Sequence, residues 1–321
     1  MTVNISSVKV DNVEKLLNRM QTEQGRKNIK FALAKKIFNP LLRNIGYTLI
    51  TDHFYQPIPN RQEIMTYAGK ERPLSSIEWH LDKQTELVKY LLEKYALEFN
   101  NKEIFSAFGY SEDSSGLISG DAEILYAMVR EKKPYRVIEI GSGGSTKIIA
   151  AALKMNFIEN SQKSQLISIE PYPQDFLKDF ANVSKDFLEF SLLIQKVEAV
   201  DLSVFESLQT NDILFVDSSH VFKSGSDVEF EFLQVYPRLQ TGVLVHIHDI
   251  FFPYDYPIEW NLKESRYWNE QYFLETFLQF NKKFQVLASL SMVSHYNNSV
   301  FLDNINAYNE DRLPGSFWMI A

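Results

Sequence analysis

Strand-like apolar runs alternate with helical patterns from Asp121 to the end of the chain, and that alternation predicts an α/β protein with a doubly wound, mostly parallel sheet. A second observation is the junction Val137-Ile-Glu-Ile-Gly-Ser-Gly-Gly-Ser-Thr146, an apolar run ending in an acid and turning through small residues into a helix. A third is Leu166-Ile-Ser-Ile-Glu170, a second strand that also ends in an acid. A helical N-terminal extension precedes this sheet.

Taken in order, Asp11 to Arg43 has helical spacing, with Leu33, Ile37 and Leu41 on one face and an excess of Lys and Arg. Packing on its own domain is the expectation, a membrane surface or a partner the alternative. Tyr47 to Asn60 is extended and then turn-like, because Pro57 and Pro59 oppose a helix. Asp82 to Tyr95 returns to helix, and Asn100 to Gly120 is polar and loop-rich. The domain boundary is therefore expected at residue 115, with a helical extension over 1–115 and the sheet domain over 116–321. A helix over Asp121–Lys132 leads into a strand over Tyr135–Ile140 and a helix over Thr146–Met155. Strands are expected over Gln165–Ile169, Ser191–Lys196, Ile213–Asp217 and Gly242–His248. Helices near Gln174–Val183, Leu202–Leu208, Asp227–Tyr236 and Tyr267–Phe280 alternate with them. Two late strands, Phe284–Ser291 and Ser316–Ile320, follow.

The 321 residues are 45% hydrophobic, enough for a full core. There is no cysteine, which excludes disulfides, thiolate metal sites and cysteine nucleophiles. The opening residues lack a basic region followed by an apolar one, and no apolar run has membrane-spanning length, so a cytoplasmic location is expected. A formal charge of −8 argues against a nucleic-acid partner, which needs a dense positive footprint. The 24 Phe and 16 Tyr suit either a Phe-rich core or an apolar pocket for a small organic acceptor.

Ligands of open α/β sheets bind outside the carboxyl ends of the strands. Gly141 and Gly143 fit the start of a dinucleotide fingerprint G-x-G-x-x-G, but Thr146 stands where its third glycine belongs. An acid at Glu170 suits a ribose diol. The fourth strand ends Phe215-Val-Asp-Ser-Ser-His220 and the fifth ends Val245-His-Ile-His-Asp249, so Asp217, His220, His248 and Asp249 project to the same rim. His246 is expected to face a helix. Histidine suits general-base work near neutrality. Asp217, His248 and Asp249 could instead hold a divalent ion, or could hydrogen-bond loops.

Acid-x-Gly-x-Gly over Glu139–Gly143 resembles motif I of class I S-adenosylmethionine (SAM) methyltransferases, with Ser145 in place of a frequent third glycine. Asp212 to Val228, Gly242 to Phe251, Pro253 to Pro257, Glu259 to Tyr272, Gly315 to Trp318, Phe54 to Pro59 and Gly120 to Tyr126 are similar to the bacterial class I family labelled "methyltransferase domain, type 24". The likeness covers most of the chain from about Asp52. It implies a Rossmann-like seven-stranded sheet with an antiparallel last strand and SAM as donor. The cofactor residues it implies are Glu139, Gly141, Ser142, Gly143, Thr146, Glu170 and Asp217. Catalysis would fall to His248, Asp217, Asp249 and His220, with residues 1–115 capping the acceptor. Related sugar and macrolide O-methyltransferases use Mg2+, which here would take Asp217, His248 and Asp249. The acceptor expected is a small molecule of secondary metabolism, methylated on oxygen. A peptide, a nitrogen acceptor and a non-catalytic partner subunit are the alternatives, and a homodimer is the expected oligomer.

Overall fold

A computed structural model describes residues 36–50, 55–111, 116–118, 120–306 and 308–321. Most of the helix expected over Asp11–Arg43, and Phe54 of the proline-rich segment, lie outside these residues. The part of that helix within them, residues 36–43, is helical. The described residues up to Glu63 form one compact unit and Ile64–Ala321 a second.

The second unit contains a seven-stranded sheet in the order β3-β2-β1-β4-β5-β7-β6. The strands are β1 (Arg136–Ile140), β2 (Ser164–Ile169), β3 (Leu188–Leu193), β4 (Ile213–Val216), β5 (Leu244–Ile247), β6 (Gln285–Ser289) and β7 (Phe317–Ile320). The first five pair in parallel, and β7 runs antiparallel between β5 and β6. This is the expected fold. β1 and β4 are central, and every residue of β4 is buried, as a strand covered on both faces requires.

Two apolar layers cover the sheet. One joins the helices Leu81–Phe99, Asp121–Lys132 and Gly144–Asn160 through Leu91, Leu92, Leu125, Tyr126, Ile149 and Leu153. The other packs Val197, Phe205, Val235, Tyr236, Phe252 and Leu274 on the opposite face. The Leu81–Phe99 helix, upstream of the expected boundary at 115, thus belongs to the layer covering the sheet.

Several boundaries move for identifiable reasons. β3 begins three residues before its expected start, because Phe190 packs inward on Phe180 at 5.0 Å. The pattern over 227–236 is helical throughout, but the backbone changes from an α-helix at Asp227–Phe230 to a π-helical turn at Glu231–Val235 and a 3-10 turn at Tyr236–Arg238. β6 stops at Ser289. A helix, Leu290–Asn297, follows with Leu290, Met292 and Val293 buried, where the strand is expected to continue to Ser291.

Arg130 ties the three helices of the first layer together. It is 2% exposed. Its guanidinium donates to Glu98 from Nε at 2.7 Å and from Nη2 at 3.0 Å, and also to Asn156 and Glu159. Tyr126 donates to the same Glu98 carboxylate at 2.6 Å. Burial opposes the charge of Glu98, but the bonds from Arg130 and Tyr126 outweigh it and hold the carboxyl below its usual range. Arg130 and Lys133 lower Glu159 to about 2.

Replacing Arg130 by Ala should cost about 3 kcal/mol of unfolding free energy, because partly exposed Glu98 and Glu159 regain water while the buried contacts are lost. Urea denaturation measures it. A depressed carboxylate pKa stabilises the fold above the unfolded-state value, and that gain disappears as pH falls through the folded one. The difference between wild type and Arg130→Ala should therefore be full at neutral pH and narrow from 4.5 towards about 2.

Candidate active site

The strand order reverses between β1 and β4, and there the two strand ends meet more closely than side chains allow. Gly141 follows β1 with φ +80°, and a Cβ placed on it would lie 1.9 Å from the Asp217 carbonyl oxygen. Its N–H donates to the Ile169 carbonyl at 3.1 Å, while Asp217 N–H donates to the Ile140 carbonyl at 2.9 Å. The first glycine thus joins the ends of β1, β2 and β4. Gly143 differs: its φ of −178° is extended backbone, and the nearest atom to an added Cβ is Gln174 Nε2 at 3.8 Å.

Glu139 is fully buried one strand-turn below this point. Its carboxylate accepts from Ser145 Oγ at 2.6 Å, Thr146 Oγ1 at 2.7 Å and Ser168 Oγ at 2.7 Å. Ser168 is its register partner on β2, and Ser145 and Thr146 lie in the first turn of the Gly144–Asn160 helix. Burial pushes the Glu139 carboxyl up, against the hydroxyls that stabilise its charge. Glu139 and Thr146 therefore face each other inside the fold and hold the loop from beneath.

A cleft of about 340 Å3 opens above, lined by Gly141, Glu170, Tyr172, Glu198, Asp217 and Asp227 among others. Glu170 follows β2. One of its oxygens accepts from Ser142 N–H at 3.3 Å and the other from Tyr172 N–H at 2.8 Å. Each oxygen keeps a lone pair for a further donor.

Beside the cleft, Asp217, His220 and Asp249 converge, with one donor atom of each within 4.8 Å of the others. His220 Nε2 lies 3.2 Å from Asp217 Oδ1 and 3.7 Å from Asp249 Oδ2. This trio differs in one residue from the expected Asp217, His248 and Asp249. His248 stands behind, with Nε2 3.8 Å from Asp249 Oδ1. His220 reaches the cluster because its backbone turns left-handed, with φ 59°, and Asp249 does the same with φ 57°. His246 lies deeper, stacked on Phe215 at 4.2 Å and paired with Ser316 Oγ at 2.9 Å.

The cluster's charges support one another. Burial works against a charged His220, but Asp217 and Glu270 outweigh it and raise the imidazole well above its usual value. Burial would raise Asp217 too, and the charges of His248 and His220 instead hold it near about 2. His248 is likewise raised, as Asp249 and Asp217 overcome its burial. His246 is pushed well below neutrality by burial and by His248, so it is uncharged.

Sequence reasoning missed Glu270, whose Oε2 meets His220 Nδ1 at 2.8 Å inside the protein. It also missed Glu231, a buried acid on the π-helical turn that accepts from Ser218 Oγ at 3.2 Å. Burial and the neighbouring Glu270 drive the Glu231 carboxyl well above its usual range, and burial raises Glu270 too, against the opposing charge of His220.

Residues 138–250 match the family model of the methyltransferase domain. That segment is a methyltransferase domain. It spans β1 to β5, the glycine loop, Glu170 and the Asp217, His220 and Asp249 cluster. An uncharacterized protein of Archaeoglobus fulgidus is 29% identical over 184 residues, which is 53% of this chain and 78% of that one. Among solved structures, the SAH-bound methyltransferase PaMTH1 of Podospora anserina is similar with a TM-score of 0.37 and 14% identity, over 62% of this chain and 76% of its own. A structure named cmcI-N160 SAH is similar with a TM-score of 0.34 and 14% identity, over 66% and 86%. Among the described residues no helix is long and apolar enough to cross a membrane.

The two glycines of the methyltransferase loop should respond oppositely to a methyl group. Gly141→Ala should cost more than about 4 kcal/mol, because a backbone oxygen must move. Gly143→Ala should stay within about 1 kcal/mol, the range of a changed helix cap. Chemical denaturation of both variants decides it, and equal losses would remove the steric account of Gly141.

Proposed function

We propose that this methyltransferase moves the methyl group of SAM to an oxygen of a small acceptor, with Asp217, His220 and Asp249 on the acceptor side. The observation that carries this reading is the double position of Asp217. It lines the cleft and belongs to the cluster, so a donor in the cleft and an acceptor at the cluster meet at the end of β4. Bound there, SAM supplies a methyl group on a positively charged sulfur, which the acceptor oxygen displaces in line. Gly141 offers bare backbone to the donor. Glu170 accepts from ribose hydroxyls with its remaining lone pairs.

The converging donors fit a hard divalent cation such as Mg2+. Asp217 and Asp249 offer carboxylate oxygens, which suit it, and their mutual repulsion favours a cation between them. When bound, the cation makes the acceptor hydroxyl more acidic. An imidazole is a poor ligand for Mg2+. His220 is therefore left outside the cation's shell, where a cation on the two acids would offset the charge that raises its imidazole and free Nε2 to take the hydroxyl proton as the new C–O bond forms. His248, buried behind Asp249, balances the acids with its raised pKa.

Glu170→Ala should weaken SAM binding about tenfold or more by calorimetry, the loss expected when a charged acceptor is removed. Unchanged affinity would take Glu170 out of the donor site. Methyl-labelled SAM offered with a panel of hydroxylated small molecules tests the acceptor class. Turnover should disappear with EDTA, return with Mg2+, and fall at least a hundredfold in His220→Gln, within the range of general-base contributions. Labelling confined to peptides or to nitrogen acceptors, or indifference to EDTA, would overturn this reading.

A further inference from the structure

The described part of the basic N-terminal segment uses its helix the opposite way to a packed one. Residues 36–43 are helical, and Ile37, Leu41 and Ile45 recur at every fourth position with Phe38 beside them. Lys36, Asn39 and Arg43 fall on the other side. A helix packed on its own domain turns its apolar stripe inward. Here the polar side is the one engaged. Asn39 is 6% exposed, and its side chain accepts from Leu49 N–H at 2.7 Å and donates to the Leu49 carbonyl at 3.1 Å. The turn between them is closed by Ile45 and Tyr47, whose N–H groups donate to the Leu42 carbonyl at 3.0 and 2.9 Å. The returning chain thus meets Asn39 and leaves the apolar stripe open. Ile37, Phe38, Leu41 and Ile45 are between 53 and 68% exposed, and Tyr47 is 67% exposed. Such a concentration of large apolar side chains goes beyond scattered surface apolarity and marks a contact face.

Charge identifies the partner. Residues 11–43 carry eight Lys and Arg against three Asp and Glu, a net +5 in a chain whose total is −8. A second copy docked stripe to stripe would bring two such segments together, and like charges oppose that. Docking on the acidic remainder of its own chain would bury the stripe, which is exposed. An anionic bilayer supplies both things the face lacks. Its phosphates attract the cations and its acyl chains take up Ile37, Leu41 and Ile45, the combination that holds an amphipathic helix in an interface. Tyr47 adds a ring suited to the headgroup level.

We propose that the face formed by Ile37, Phe38, Leu41 and Ile45 docks on an anionic lipid bilayer, drawn there by the positive charge of residues 11–43. The contact goes beyond the methyl-transfer reading and does not depend on it, so its test needs no turnover.

Flotation of the full chain with unilamellar vesicles of phosphatidylglycerol or of phosphatidylcholine tests it. The chain should float with phosphatidylglycerol at low salt, bind phosphatidylcholine about tenfold or more weakly, and be released by high salt. The double variant Ile37→Ser, Leu41→Ser keeps the charge, and its partitioning onto phosphatidylglycerol should fall about tenfold or more, the loss expected when buried apolar side chains are removed. Its circular dichroism should match the wild type, because both positions are exposed. Lys36→Gln with Arg43→Gln keeps the stripe and should narrow the preference between the two lipids. Failure to float with phosphatidylglycerol, equal binding to both lipids, or indifference to the Ser substitutions overturns the proposal. Sedimentation without lipid should be the same for wild type and the Ser variant. A wild-type dimer that those substitutions dissociate would assign the face to a second copy and overturn the membrane contact.

Discussion

The absence of a side chain at Gly141 is the constraint on which the site depends. The Asp217 carbonyl occupies the place of a Cβ there, so β1 and β4 approach at their carboxyl ends as only glycine permits. The cleft with Glu170 lies on one side of this contact and the cluster with His220 and Asp249 on the other. Glu139 supports it from below with three hydroxyl bonds reaching β2 and the following helix. A buried carboxylate is tolerable only when its lone pairs are used, and here they also define the loop.

Charge is then managed by alternation. Acids and imidazoles follow one another from Asp121 through His248, Asp249 and His220, which meets both Asp217 and Glu270; neighbours of opposite sign raise His248 and His220 and lower Asp217, while burial raises Asp121 and Glu270. Asp121 accepts from Gly315 and Ser316 N–H at 3.0 and 2.8 Å, joining the start of the Asp121–Lys132 helix to the approach of β7. His246 is the uncharged exception because it is buried against the Phe215 and Trp318 rings and lies beside His248.

Much of this was legible from the chain. Strands that end in acids announce themselves, and Glu139, Glu170, Asp217 and Asp249 all stand where the apolar runs stop. The alternation of strands and helices led directly to the sheet. Equal weight on Gly141 and Gly143 could not survive, since only the backbone angle separates a required glycine from a replaceable one. The end of the fifth strand pointed to His248 as the imidazole of the metal set, whereas a left-handed residue at 220 turns the other imidazole inward. Glu270 was hidden for a different reason. An acid in the first turn of an amphipathic helix looks like ordinary helix-end chemistry, and no local pattern tells that a histidine from another loop will lie on it.

The place of β7 has a consequence for how the protein is made. It lies between β5 and β6 although both precede it in the chain, so during synthesis β5 has an open edge until Phe317–Ile320 emerge. At ~5–20 residues per second that interval lasts seconds, long compared with hairpin or helix formation. Throughout it His246 lacks Ser316, Asp121 lacks its two N–H donors, and the loop bearing Asp249 is untethered from Gly315. A nascent chain therefore carries a half-assembled rim and an unpaired strand edge at the same time. Its exposure to aggregation depends on how quickly the residues between β5 and β7 are translated, as well as on the stability of the finished sheet.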